Sequence, residues 1–431
     1  MNTIGRIIAI IAVFVGACIG WAMLGATTAS RTASQGERLG PEVQSLWGQE
    51  QRQTAPAFNF RWKTSRIVER TEEGDKRGSK RLVRETVWDD HAKSMFPSST
   101  RIGADIHLDQ RLKGLMWYSL YDTVFEGRWS YVHEEPNAGV LDLAFAFPAP
   151  DSMYDDFRFV VDGRDLAHEL RPERGTVAVS LPVTAGQQIE LAVHYKTRGR
   201  DTWAYAPAEG VASLRDFKLA IRCDFGAIDY PHGSLSPSSR QQHGKGWELV
   251  WDFRQVLTGQ SMGLVMPERI QPGELANQLT ATAPISLFLF FILLFALSVL
   301  QKLDIHPANY LAIAGAFFSF HLLFAYCVDH VHITGAFVIA STASIIMVVS
   351  YMRLVVSPRF AFREVAICQL VYQVGFSLAH FAHGYTGLTI SVLATLTLFV
   401  LMMLTGRIRW SGVLARRDGR GMAASALAGG E

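Results

Sequence analysis

A serine between glycines, Gly259-Gln260-Ser261-Met262-Gly263, matches the G-x-S-x-G of serine hydrolases, in which a strand-to-helix elbow exposes the serine hydroxyl beside backbone donors. Here Leu264-Val265-Met266-Pro267 follows, a short strand halted by proline, so the stretch reads as a tight turn feeding a strand. The other chemistry-bearing residues are histidines. Asp329, His330 and His332 close one apolar run, and His380 and His383, at helical i and i+3, close another. Imidazoles and a carboxylate converging from facing elements bind a divalent ion. These five are the one candidate metal cluster, open if the two turns pack together. They read instead as separate interfacial side chains meeting water, and neither a metal nor a cofactor is expected. Cys-x-x-Cys, His-Glu-x-x-His, phosphate-loop and dinucleotide motifs are absent. No catalytic residue is assigned, and the chain is not expected to be an enzyme.

The elements that carry these residues point to a membrane. The 431 residues are 49% hydrophobic and only 19% charged, below the roughly 25% of soluble domains. Forty-one basic residues against 39 acidic ones leave no positive field for nucleic acid. Six runs without Asp, Glu, Lys or Arg approach the roughly 20 residues a bilayer requires: Ile7–Leu24, Ala281–Leu300, Tyr310–Val328, Ile333–Tyr351, Val365–Phe381 and Leu388–Leu404. Lys302, then Arg353, Arg359 and Arg363, then Arg407, Arg409, Arg416, Arg417 and Arg420 fall on one side of them. Basic residues are retained in the cytoplasm, so both termini are expected inside. The rival for Ile7–Leu24 is a cleaved signal peptide ending at Gly25-Ala26, which its length disfavours.

The long segment between the first two runs starts with an amphipathic stretch, Leu39, Val43, Leu46 and Trp47. Its period then changes to two. Phe58, Phe60 and Trp62 share a face, as do Ile102, Ala104, Ile106 and Leu108; Leu141 to Phe147; Ile189 to Tyr195; Phe217 to Phe225; and Trp247 to Phe253. Gly74-Asp75, Asp162-Gly163 and Ala185-Gly186 mark turns, and helical crossovers are missing, so antiparallel sheets packed as a sandwich are expected. Cys223, on an apolar face, reads as a buried hydrophobe. The expected plan is a transmembrane anchor at 1–26, a periplasmic β-rich domain at 27–280, a five-helix transmembrane bundle at 281–406 and a cytoplasmic basic tail at 407–431.

In hydrocarbon, polar side chains must face neighbouring helices. Gln369, Gln373 and His380 form one stripe, and His321 and His332 align if the third run stays helical that far. Such stripes weld helices together in one reading and line a path in the other. In Lys302-Leu303-Asp304-Ile305-His306-Pro307-Ala308-Asn309-Tyr310, Pro307 suits the first turn of the next helix. The proline is thereby explained; the histidine is not. The segment is either a stiff turn or a partner-contacting loop.

The Ile305-His306-Pro307-x-x-Tyr310 turn, the aromatic run Phe317-Phe318-Ser319-Phe320-His321-Leu322-Leu323 leading to Asp329-His330, and the overall plan resemble the CreD family of bacterial inner membrane proteins. The clear likeness covers roughly residues 284–351, with an echo from Arg111-Leu112-Lys113-Gly114-Leu115 through Tyr121 and Gly127. His306, Pro307 and Tyr310 match the family turn. The resemblance implies an association with envelope integrity and with stress responses run by two-component systems, without catalytic chemistry or a cofactor. The expected function is therefore non-enzymatic: the β domain binds an envelope partner and the helices hold it to the lipid bilayer. The alternative is a small-solute or lipid transporter using the polar stripes.

Overall fold

The structure, a computed structural model, describes residues 3–73, 80–114, 116–149, 151–207, 210–382 and 384–406. His383, the Gly74-Asp75 turn and the basic tail lie outside them.

The chain opens with helix α1 (Thr3–Trp47). Among the described residues fifteen strands follow: β1 (Gln51–Thr54), β2 (Ala57–Glu73), β3 (Lys80–Met95), β4 (Ser99–Lys113), β5 (Met116–Val132), β6 (Gly139–Ala146), β7 (Tyr154–Val161), β8 (Arg164–Asp165), β9 (Thr176–Val183), β10 (Gln188–Arg200), β11 (Thr202–Ala206), β12 (Ala212–Cys223), β13 (Ser239–His243), β14 (Gly246–Thr258) and β15 (Met262–Val265). The helices α2 (Pro272–Leu300), α3 (Pro307–Cys327), α4 (Ile333–Val355), α5 (358–381) and α6 (Thr386–Thr405) complete it. By contacts the chain divides in two. Residues 1–37, 114–116 and 270–431 form a helical unit, and 38–113 with 117–269 form a β-rich unit.

In the β-rich unit the period-two strands behave as their side chains dictate. Ile189, Leu191, Val193 and Tyr195 are buried on one face of β10 while Glu190, Lys196 and Arg198 remain in solvent. Three sheets, ordered β1-β11-β15, β13-β14-β12-β4-β5-β10-β7-β8 and β3-β2-β6-β9, contribute to one apolar core that includes Phe60, Phe125, Trp129, Tyr195, Trp203 and Trp251. Two pairings differ from the antiparallel expectation, because β12 runs parallel to β4 and β1 parallel to β11. Side-chain alternation fixes which face is buried, not strand direction, which depends on long connections. Asp162 and Gly163 both have positive φ, as the two-residue primed turn between β7 and β8 requires. Beyond Arg61, β2 pairs with β3 alone among the described residues, forming a ribbon on which Ile67 and Trp88 are exposed.

In the helical unit α1, α2, α3, α4 and α6 are each long and apolar enough to cross a membrane. The amphipathic stretch expected at Leu39–Trp47 is not a separate element: α1 runs continuously from the apolar run through Thr27–Glu37 and past Pro41. The intervening Ala, Thr, Ser, Arg and Gln residues are compatible with helix, although a hydropathy scan reads them as linker. Within the unit Trp21 is buried, packing edge-on to His321 with ring centroids 5.5 Å apart. The fifth run is helical but irregular, with π-helical turns at Ala361–Val365 and Leu370–Gly375.

Candidate functional site

Ser261 sits between β14 and β15, and its carbonyl accepts from the Leu235 amide at 2.8 Å. A strand follows it, so the elbow and helix of a hydrolase nucleophile are not built around it. Cys223 is buried, with Sγ 3.5 Å from the Trp247 carbonyl, and burial pushes its thiol pKa up.

Of the five candidate metal ligands, His383 lies outside the described residues, and the other four are placed as follows. Asp329 is held by Arg31 of α1, with nitrogen and oxygen 2.8 Å apart, and Arg31 also donates to the Ala325 carbonyl and lies over the Tyr326 ring. His332 caps α4, its Nδ1 accepting from the Thr334 amide at 3.3 Å. His330 is exposed. Buried His380 meets Thr282 of α2 at 3.0 Å. Among the described residues no group of three or more His, Cys, Asp or Glu is placed to hold a metal ion. The expected alignment of His321 with His332 does not form, because α3 ends at Cys327; His321 is buried and bonds the Phe317 carbonyl at 2.9 Å.

The family turn is explained atom by atom. Pro307 opens α3, and His306 at its N-cap accepts from the Ala308 amide at 3.2 Å, a task usually given to Ser, Thr, Asp or Asn. Tyr310 is buried edge-on to Phe291 at 5.1 Å. Just before this turn, Arg6 pairs with Asp304 at 2.7 Å and donates to the Ile305 carbonyl at 2.6 Å. Arg6 and Arg31 are as far apart in sequence as Asp304 and Asp329, so α1 is pinned near both ends of α3 in matching register. Sequence reading passed over both arginines. The available signal was a lone arginine in a neutral helical stretch and an aspartate just past the end of α3.

The buried Gln369, Gln373 and Ser344 bond one another across α4 and α5. Gln369 Nε2 donates to Ser344 Oγ at 3.2 Å and to Gln373 Oε1. The Ser344 hydroxyl faces the Ala316 carbonyl of α3 at 2.8 Å and Gln373 Oε1 at 2.9 Å. The polar stripe therefore ties three helices. Residues 278–411 match the CreD inner membrane protein family. The match extends the clear likeness of residues 284–351 in both directions, over about a third of the chain, and leaves out the Arg111–Gly127 echo. None of the curated proteins matches this chain. Among solved structures, a "putative nutrient binding protein" of Legionella pneumophila is 12% identical with a TM-score of 0.25, covering 52% of this chain and 82% of its own, too low to assign a shared fold. The chain is a multi-pass membrane protein whose residues 278–411 are similar to the CreD family, and the described residues bring together no catalytic set.

The β-rich unit has two separate grooves that draw residues from β5, β10 and β7. One, of about 450 Å³, is lined by Leu46, Trp47, Asp122, Met153, Asp155 and Arg198 among others, with Leu46 and Met153 exposed. The other, of about 360 Å³, is lined by Glu126, Asp156, Arg158 and His194 among others. Positive φ at Asp156, beside a register shift of β10 against β7, aims its carboxylate at Lys196 (3.3 Å) and His194 (3.4 Å). The Lys196 ammonium holds that carboxyl below the ordinary aspartate range.

Proposed function

We propose that this protein is a non-enzymatic inner-membrane protein of the cell envelope, whose β-rich domain lies in the periplasm and binds an envelope partner. The reading includes a sandwich-like packing of its sheets about the shared core. It places both termini in the cytoplasm, since Lys302, Arg353, Arg359, Arg363 and the basic residues after Gly406 fall on one side of the spans. A retained first helix is supported by α1, which continues through Gly25-Ala26 to the Arg31–Asp329 pair. A transport path would need an open polar route. The buried polar side chains instead bond one another, with apolar clusters before and after them along the helices.

The observation that carries the reading is the groove beside Trp47. Exposed Leu46 and Met153 next to an aromatic ring, rimmed by Asp122, Asp155, Lys196 and Arg198, have the composition of an interface centre with a polar rim. A photo-crosslinking amino acid at Met153 in intact cells is expected to trap discrete envelope adducts, whereas the same probe at Ser239 on exposed β13 traps none. No adduct at Met153, or the same pattern at both positions, would contradict this assignment.

A further inference from the structure

The ribbon of β2 and β3 leaves a long strand edge open. Among the described residues β3 is the end strand of the β3-β2-β6-β9 sheet, and β2 pairs with β6 only over Ala57–Arg61. Over its 16 residues β3 keeps one unbroken register with β2, from Phe58 opposite Met95 to Glu73 opposite Lys80, and it contains neither proline nor glycine. Bulges, prolines and shortness are the usual devices that keep such an edge from pairing with another chain. None of them interrupts β3. The register sets Ile67 opposite Thr86 and Ser65 opposite Trp88, so alternation puts Ile67, Leu82 and Trp88 on one face, and all three are exposed.

Charge, the remaining protective device, is present but sorted by sign. Lys80, Arg81 and Arg84 come first along the strand, and Glu85, Asp89 and Asp90 follow. An antiparallel copy of β3 therefore sets a basic half against an acidic half, whereas a parallel copy in register opposes like charges. Two identical antiparallel strands related by a two-fold axis must be centred on a residue that faces itself, because opposed side chains point to the same face and adjacent ones to opposite faces. A centre at Glu85 places Lys80 and Arg81 opposite Asp90 and Asp89, and Leu82 opposite Trp88, on both sides of the axis. A centre at Arg84 opposes that arginine to itself and Val83 to Glu85, and a centre at Thr86 opposes Leu82 to Asp90 and Val83 to Asp89. Within the ribbon Asp89 already meets Arg66 at 3.0 Å and Asp90 meets Lys63 at 3.2 Å, so the Glu85-centred copy continues both rows with alternating sign. Its one cost is the like-charge pair of Glu85 with itself.

We propose that the ribbon is a self-association arm: β3 pairs antiparallel with β3 of a second copy, centred on Glu85, and joins the two ribbons into one four-stranded sheet. Copper-phenanthroline oxidation of disrupted membranes containing the full-length protein tests it, whichever side of the bilayer the ribbon occupies. Directly opposed residues bring their Cβ atoms to about 4.5–5.5 Å, close enough for a disulfide to be trapped. Glu85→Cys is expected to give a linked dimer on non-reducing gels several-fold above the wild-type level, while Ser65→Cys, also exposed but on β2, stays at that level. Differently tagged Leu82→Cys and Trp88→Cys copies, expressed together, are expected to link to each other and not to themselves. All four positions are exposed, so these variants keep the core intact. Glu85→Gln removes the like-charge pair and is expected to tighten the dimer in detergent by up to about five-fold, read by analytical ultracentrifugation. No linked dimer from Glu85→Cys, equal yields from Glu85→Cys and Ser65→Cys, or linkage of Glu85→Cys to a different protein would overturn the proposal. Self-linking of Leu82→Cys above the mixed pair would overturn it as well.

Discussion

The β-rich and helical units solve the placement of polar side chains in opposite ways. In the β-rich unit charged residues alternate outward and pair in solvent, as Arg61 does with Asp142 and Arg198 with Asp122, while a single core keeps the sheets together. In the helical unit the exterior is apolar, and polar groups are turned inward to bond one helix to another. Polar groups thus decorate the first unit and connect the elements of the second. Each arrangement follows from the solvent outside it.

The comparison breaks most sharply if the units do not stabilise themselves separately. Phe125, fully buried and stacked on Tyr195 at 4.8 Å, belongs to the β core alone. Phe125→Ala is expected to cost that unit about 3–5 kcal/mol. Urea-dependent proteolysis should show its midpoint falling while the helical fragment survives as in wild type. Concerted loss of both would contradict the division.

A smaller effect sharpens the picture within the helical unit. The Asp329 side chain is 12% exposed and that of Asp304 is 88% exposed, although each pairs with one arginine of α1. Arg31→Ala is expected to destabilise the bundle by about 1.5–3 kcal/mol, the range for charged hydrogen bonds. Arg6→Ala should cost less than about 1 kcal/mol. Thermal melts of the two variants in one detergent check the order, and exchanging the charges of Arg31 and Asp329 should restore part of the loss.

The smallest effect belongs to the solvent-facing pairs of the β-rich unit. The hydrogen bond from Arg61 holds the Asp142 carboxyl below its ordinary range. Its stabilisation is fully present above the unfolded-state value of about 3.9 and is lost as pH falls through the lower folded value. Asp142→Asn should lower the neutral plateau of the stability profile slightly, converge on wild type at pH below the folded value, and so flatten the acid limb. A large loss at neutral pH would show that the pair is not peripheral.

Much of this architecture is legible in the sequence because its two periods are strong. Ile189 to Tyr195 announce their buried face, the run at Ile333–Tyr351 coincides closely with α4, and the run at Ala281–Leu300 shares the end of α2, which starts earlier, at Pro272. What stays hidden has physical reasons. The polar continuation of α1 has helix-compatible residues without an apolar signal, and the π turns of α5 change backbone bonding without changing composition. The parallel pairing of β4 with β12 depends on connections that alternation does not encode. Among the candidate site residues, Gln369 and Gln373 were legible as a helix-joining stripe, whereas His306 as a cap became readable only from its 3.2 Å contact.

The most direct test of the whole account is the topology of the chain in living cells. Reporter fusions after Gly210 are expected to be active outside the cytoplasm, and fusions after Lys302, Arg359 and Arg409 inside it, as the one-sided basic residues require. Activity of the Gly210 fusion inside the cytoplasm would contradict a periplasmic β domain and, with it, binding of an envelope partner.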